Sequence, residues 1–191
     1  GYGTTESAPV THVGIAGKSD PGTIGFALPN TQFRLSDSGE LLVRGPQLMR
    51  GYLGNPDATA AAIRDGWLHT GDIARINSDE TVTIVDRAKE VFKYHGFQVA
   101  PAELEALLIT HPRIADAAVT AHTRTVGGVA EEVPRAFVVK QGALDEEEVM
   151  AWVAARVTPY KKVRVVTFVD AIPRSAAGKI LRRELTSPGA E

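Results

Sequence analysis

The sequence predicts an α+β fold in two units, a small antiparallel β unit followed by one in which strands and helices alternate. From Ile24 to Asp86 short apolar runs are punctuated by Gly45, Gly51, Gly54 and Gly66, the pattern of short strands joined by turns. After Asp86 the pattern changes to alternating strand and helix signals, and 191 residues suit two small domains. The boundary falls at Arg87 to Glu90, and neither an internal repeat nor a low-complexity stretch interrupts either part.

In chain order, "FRL", the turn "SDSG" and "ELLV" read as a hairpin, and Asn55-Pro56 opens a short helix running to about Ile63. Asparagine accepts a free backbone N–H at the N-cap, and proline is tolerated at the first helical position. "TVTIVD" reads as a buried strand. Pro101 opens a helix over 102–110, strands are expected at 114–121 and 133–139, and Asp145 with Glu148 forms a capping pattern for a further helix. The apolar stripe of that helix is Val149, Trp152 and Val153, which reads as core, and a third strand is expected at 163–169.

Composition narrows the function classes. A net charge of -2 gives no global footprint for nucleic acid, and no run of about 18 apolar residues offers a membrane span. Cysteine is absent, which excludes disulfides, thiolate metal sites and a cysteine nucleophile within these residues and fits a reducing cytoplasm. No signal peptide is expected from the opening residues. One local imbalance stands out: between Tyr160 and Arg183 there are seven basic residues against Asp170 alone, a footprint for a small polyanion or a solvated basic face.

Four segments carry chemistry. "GYGTTE", residues 1–6, begins without a preceding strand or cap, so the chain reads as truncated. Its hydroxyls and N–H groups suit phosphate oxygens and Glu6 is a hard ligand suited to Mg2+, although a polar turn has the same composition. "HTGD" ends in Asp72, a carboxylate able to accept two hydrogen bonds from a ribose diol, or an ordinary turn residue. His69 lacks a second ligand at metal spacing and reads as a satisfied histidine. "DRAKEVFKYHGFQVAPAELE" puts Lys89, Lys93 and His95 on a loop-like stretch or hairpin before Gly96, where cations could meet phosphates or a carboxylate. "IPRSAAGKILRREL" places Lys179 on a glycine-flanked loop, either a solvated charge or an anion ligand.

Taken together and in order, these segments with "GELLVRGPQLMRGYLGNPDAT" and "VPRAFVV" resemble the C-terminal part of the adenylate-forming acyl-CoA synthetases, most of all 4-coumarate–CoA ligases and their bacterial and luciferase-like relatives. The resemblance runs to about Leu185 and lacks the family's Ser/Thr/Gly-rich loop for the ATP phosphates. It implies a remnant of a larger N-terminal domain at 1–20, a small distorted β-barrel subdomain at 21–86 and a small mobile α+β domain at 87–191. Residues 1–20 are then expected to lie loose or to pair with another chain, as in a dimer.

Enzymes of that family form acyl-AMP and pyrophosphate from a carboxylic acid and ATP, then pass the acyl group to coenzyme A. The resemblance implies ATP/AMP binding at Gly1, Tyr2 (stacked on adenine), Thr5 (on phosphate), Asp72 (on the ribose hydroxyls), Arg87 and Lys89, with Mg2+ at Glu6. It further implies catalytic roles for Lys179, Lys93 and Gln98, a coenzyme A contact at His95 and Gly96, and rotation of the smaller domain about Lys89. His95 departs from the family pattern, which has Lys or Arg there, and an imidazole contact depends on pH. The implied partners are a small carboxylic acid, ATP, coenzyme A and the N-terminal part of the same enzyme, in the cytoplasm. A carrier-protein acceptor, a luciferase-like oxidation and a non-catalytic binding module are the alternatives. These residues alone are expected to be inactive.

Overall fold

The computed structural model describes residues 1–176 and 178–186. The chain folds as α+β and divides into two units, Gly1–Ala88 and Lys89–Glu191.

In the first unit, β1 (His12–Val13) pairs antiparallel with β2 (Phe26–Ala27). Next, β3 (Gln32–Leu35) and β4 (Glu40–Arg44) form the expected hairpin, closed by Ser36 N–H on the Glu40 carbonyl and Gly39 N–H on the Ser36 carbonyl. Asn55 caps α1 (Pro56–Ala62), its side chain accepting from Ala58 N–H at 3.0 Å. Three further strands follow: β5 (Ile63–Arg64), β6 (Trp67–Ile76) and β7 (Val82–Arg87). The curled sheet runs β3-β4-β6-β5, with β7 also on β6. Leu41, Val43, Ala74 and Val82 point inward from β4, β6 and β7 and form its core, against which Tyr2, Ile24, Phe33 and Leu35 pack.

Residues 1–20 are not loose. Tyr2 N–H donates to the His12 carbonyl at 2.8 Å, Thr11 N–H donates to the Tyr2 carbonyl at 2.8 Å, and β1 finds its edge partner in β2 of the same chain. Gly3 makes this reversal possible, because a Cβ there would stand 1.8 Å from the Pro9 carbonyl oxygen.

The second unit begins with β8 (Phe92–Tyr94) and β9 (Phe97–Val99), a hairpin whose two-residue turn is His95-Gly96. Both turn residues have positive φ, 50° and 82°, the geometry that matches the twist of the flanking strands. The helix α2 (Pro101–Ile109) starts at proline as expected. Then β10 (Ile114–Val126) and β11 (Val129–Lys140) make a long hairpin, well beyond the expected 114–121 and 133–139. The extra length is polar alternation closed by Gly127-Gly128, which reads as loop because few apolar residues mark it. Asp145 caps α3 (Glu146–Ala154) by accepting Glu148 N–H at 2.8 Å. The shorter-than-expected β12 (Val165–Phe168) pairs parallel with β11, and α4 (Arg182–Leu185) follows.

Alternation along β10 and β11 sorts their side chains to two faces. Val119, Ala136 and Val138 join Leu104 and Leu108 of α2 and Val149 and Val153 of α3 in one core; Ala118 and Phe137 join Ile172 and Leu185 in another. Among the described residues no helix is long and apolar enough to cross a membrane.

Candidate functional site

Asp72 sits where β6 bends. Gly71 has φ of 74°, and the registers on both sides of it shift. The bend is pinned from β4 by Glu40, whose carboxylate accepts Gly71 N–H at 2.9 Å with one oxygen and meets His69 Nδ1 at 2.8 Å with the other. Thr70 donates its hydroxyl proton to the Leu41 carbonyl at 2.8 Å and accepts Asp72 N–H at 3.2 Å. His69 is thus a satisfied histidine, as its isolation in the sequence suggests.

The Asp72 carboxylate is buried, 3% exposed, and carries donors on both oxygens. Arg87, its register partner on β7, places Nε 3.0 Å from Oδ1; Tyr2 donates its hydroxyl to Oδ2 at 2.5 Å. Burial, then this bond to a carboxylate, pushes the Tyr2 phenol well above its usual range. Behind Tyr2 lies His12, fully buried and edge-on to the Tyr2 ring, with its pKa pushed down to about 4 by burial.

Beside this pair opens a cavity of about 760 Å³ bounded by Thr4, Thr5 and Glu6, by His69 and Gly71, and by Arg87. Glu6 Oε1 accepts the Tyr52 hydroxyl at 2.6 Å, a bond that holds its carboxyl below the ordinary value, and the Glu6 carbonyl accepts Met49 N–H. Among the described residues no group of three or more His, Cys, Asp and Glu could cage a metal. The Glu6 carboxylate on the cavity wall, with threonine hydroxyls nearby, fits Mg2+, which binds through one or two carboxylates plus waters and phosphates. The first unit therefore gathers Tyr2, Thr5, Glu6, Asp72 and Arg87, with Gly1 against the His12 carbonyl. Sequence reasoning missed Glu40 and Tyr52, whose contacts lie 31 and 46 residues away along the chain.

In the second unit Lys93 and Gln98 face each other across the β8–β9 hairpin. His95 lies edge-on to Tyr94 with centroids 4.2 Å apart, and its Nε2 is 3.6 Å from Glu131. Lys179 occupies a tight loop closed by Ser175 N–H on the Lys179 carbonyl at 2.8 Å, with Nζ 3.8 Å from Glu90. Lys89 is the first residue of this unit.

The basic run of 160–183 is less of a polyanion footprint than its charge count implies. Lys161 pairs with Glu103, Arg174 with Asp116, and Arg182 with Glu105 and Glu90, so cations separated from acids in sequence meet them in space.

The profile described as AMP-binding enzyme matches residues 1–53, and that described as AMP-binding enzyme C-terminal domain matches residues 103–179. A 4-coumarate–CoA ligase of Pinus taeda is 48% identical over 204 residues, covering 98% of this chain and 37% of the relative. The 4-coumarate–CoA ligase 1 of Glycine max is 46% identical over 205 residues, covering 97% of this chain and 69% of the relative. In structure, the chain is similar to o-succinylbenzoate coenzyme A synthetase from Bacillus subtilis in complex with ATP and magnesium ion, with a TM-score of 0.75, 27% identity, and coverage of 87% of this chain and 36% of the other. The chain spans little more than a third of the pine relative's length.

Proposed function

This chain belongs to the family of AMP-binding enzymes that includes the 4-coumarate–CoA ligases, and from that premise we propose that it serves an acid–thiol ligase making acyl-AMP from a carboxylic acid and ATP, then a thioester with coenzyme A. The observation that carries the proposal is the buried Asp72 carboxylate, held by Arg87 and Tyr2 at the edge of a cavity bounded by Thr5 and Glu6. A fixed carboxylate accepts the hydroxyls of a ribose, while hydroxyls and a hard ligand a few residues away suit the phosphate end of the same nucleotide.

In this reading Asp72 orients the nucleotide through its ribose, and Arg87 holds the Asp72 carboxylate in place. Tyr2 presents its ring to adenine, Thr5 donates to phosphate, and Glu6 is the protein ligand for Mg2+. When bound, that ion would neutralise charge on the departing pyrophosphate. Lys179, on its short loop, supplies fixed positive charge to the carboxylate and phosphate oxygens as the adenylate forms. Lys89 is the residue about which the second unit turns, and the hairpin carrying Lys93, His95, Gly96 and Gln98 serves the coenzyme A half of the cycle. ATP and coenzyme A as co-substrates favour a cytoplasmic setting.

The test is to graft this chain in place of the corresponding third of the pine relative and measure pyrophosphate exchange into ATP with a panel of aryl and medium-chain acids. Acid-dependent exchange is expected, and Asp72→Ala should raise KM for ATP by roughly 10-fold or more, the scale of a lost charge-assisted hydrogen-bond pair. A folded hybrid that exchanges with no acid, or an unchanged KM in Asp72→Ala, overturns the proposal.

A further inference from the structure

Glu6 stands on a single 3₁₀ turn, Thr5–Ser7, and a glutamate carries more rotamer freedom than one short turn restrains. A carboxylate that is to meet a cation binds it best when its direction is set beforehand. Here the direction is set by a segment more than 40 residues further along the chain. In residues 49–55, Met49 N–H donates to the Glu6 carbonyl at 2.8 Å and the Tyr52 hydroxyl donates to Glu6 Oε1 at 2.6 Å, so one loop grips both the main chain and the side chain of Glu6.

The loop is itself anchored to α1. Tyr52 N–H donates to Thr59 Oγ1 at 2.9 Å, and the Thr59 hydroxyl donates to the Asn55 carbonyl at 2.9 Å. Gly51 packs so closely on Thr59 that a Cβ there would stand 2.8 Å from its methyl group. Tyr52 and Glu6 share the wall of the 760 Å³ cavity with Thr4 and Thr5. A phenol has one proton and an ionised carboxylate about four acceptor sites, so the bond fixes Glu6 and still leaves lone pairs for a ligand. Being neutral, the phenol steadies the carboxylate without cancelling the charge that attracts a cation. A lysine or arginine at that place would cancel it.

We propose that Tyr52 is a positioning residue for a divalent cation, aligning the Glu6 carboxylate toward the cavity by its hydroxyl. The inference rests on the reading of Glu6 as the protein ligand for Mg2+.

The experiment uses Mn2+ in place of Mg2+, titrated with ATP into the isotope-labelled chain, and follows paramagnetic broadening of the Thr4 to Ser7 amides; metal-free ATP is titrated separately in the presence of a chelator. In the unaltered chain Mn2+ broadens these amides, and in Glu6→Gln it does not. Absence of broadening, or its survival in Glu6→Gln, ends the reading of Glu6 as a metal ligand and the inference with it. Tyr52→Phe should require roughly 10-fold more Mn2+ for the same broadening, the scale for losing a group that orients a metal ligand, while its response to metal-free ATP is unchanged. If Tyr52→Phe needs no more Mn2+, or weakens metal-free ATP equally, Tyr52 only holds the loop; the inference then fails while Glu6 stands as the ligand. Glu6→Asp completes the test, because a carboxylate one methylene shorter falls out of reach of the Tyr52 hydroxyl. Adding Tyr52→Phe to Glu6→Asp should cost no further Mn2+ affinity. An undiminished penalty in the double variant means that Tyr52 acts by some route other than Glu6 and overturns the assignment.

Discussion

Lowering the pH from 7 to 5 should destabilise the first unit through His12. The imidazole is fully buried, its Nε2 has no partner among the described residues, and burial holds its pKa near 4 against an ordinary value of 6.5. A depressed histidine favours folding while both states are neutral, so its contribution is complete above about pH 6.5 and is lost as pH falls toward 4. At pH 5 the unfolded imidazole is almost fully protonated and the folded one is not, which removes about 2 kcal/mol; the full loss below pH 4 approaches about 3.4 kcal/mol, at 1.36 kcal/mol per pKa unit. The chain has two tryptophans, Trp67 in the first unit and Trp152 in the second, so Trp152→Phe lets Trp67 fluorescence report on the first unit alone in urea. That separation is needed because His111, also buried and also depressed, lies in the second unit. His12→Leu in the same background should remove most of the difference between pH 7 and pH 5. Equal pH dependence with and without His12 would show that the imidazole is hydrated or charged in the folded protein, and the reasoning would be wrong.

In the hybrid enzyme, Lys179→Ala should slow acyl-AMP formation by about 10²- to 10³-fold, the scale for one preorganised electrostatic stabiliser, while transfer from supplied acyl-AMP survives; equal losses in both half-reactions would make Lys179 structural. Lys89→Pro should abolish transfer to coenzyme A far more than Lys89→Ala does, because proline fixes φ near -65° whereas alanine removes only charge. Normal turnover in Lys89→Pro would mean that the units do not turn there. Glu105→Ala should cost the second unit about 3 kcal/mol by Trp152 fluorescence in urea, since the Glu105 carboxylate accepts two bonds from Arg182 and one from Val119 N–H. A change below about 1 kcal/mol would show that water replaces those bonds.

The features legible in the sequence are those whose cause is local. Asn55 and Asp145 announce their helices because a cap is a contact across three residues, and Ser36–Gly39 announces its hairpin because a turn is four residues long. The ends of β10 and β11 were hidden because polar strand residues near Gly127-Gly128 carry no burial signal. The site was readable only as a resemblance. Tyr2 and Asp72 are 70 positions apart, and the pairing of Asp72 with Arg87 depends on irregular registers that no periodicity encodes. The basic run between 160 and 183 left a polyanion footprint and a solvated face open for the converse reason, since Glu90, Glu103, Glu105 and Asp116 pair with Lys161, Arg174 and Arg182 from outside that stretch of sequence.

Glu90, the second residue of the second unit, is bonded to Arg182, close to the last of the residues described there. The start of this unit and its described residues around Arg182 are therefore neighbours, a geometry that permits circular permutation. Joining Thr186 to Lys89 through a short linker and opening the chain between Gly127 and Gly128, at the tip of the β10–β11 hairpin, would leave every strand pairing described in the unit intact. Its architecture is a closed circuit, and the point at which the polypeptide is cut is a matter of connectivity rather than of packing.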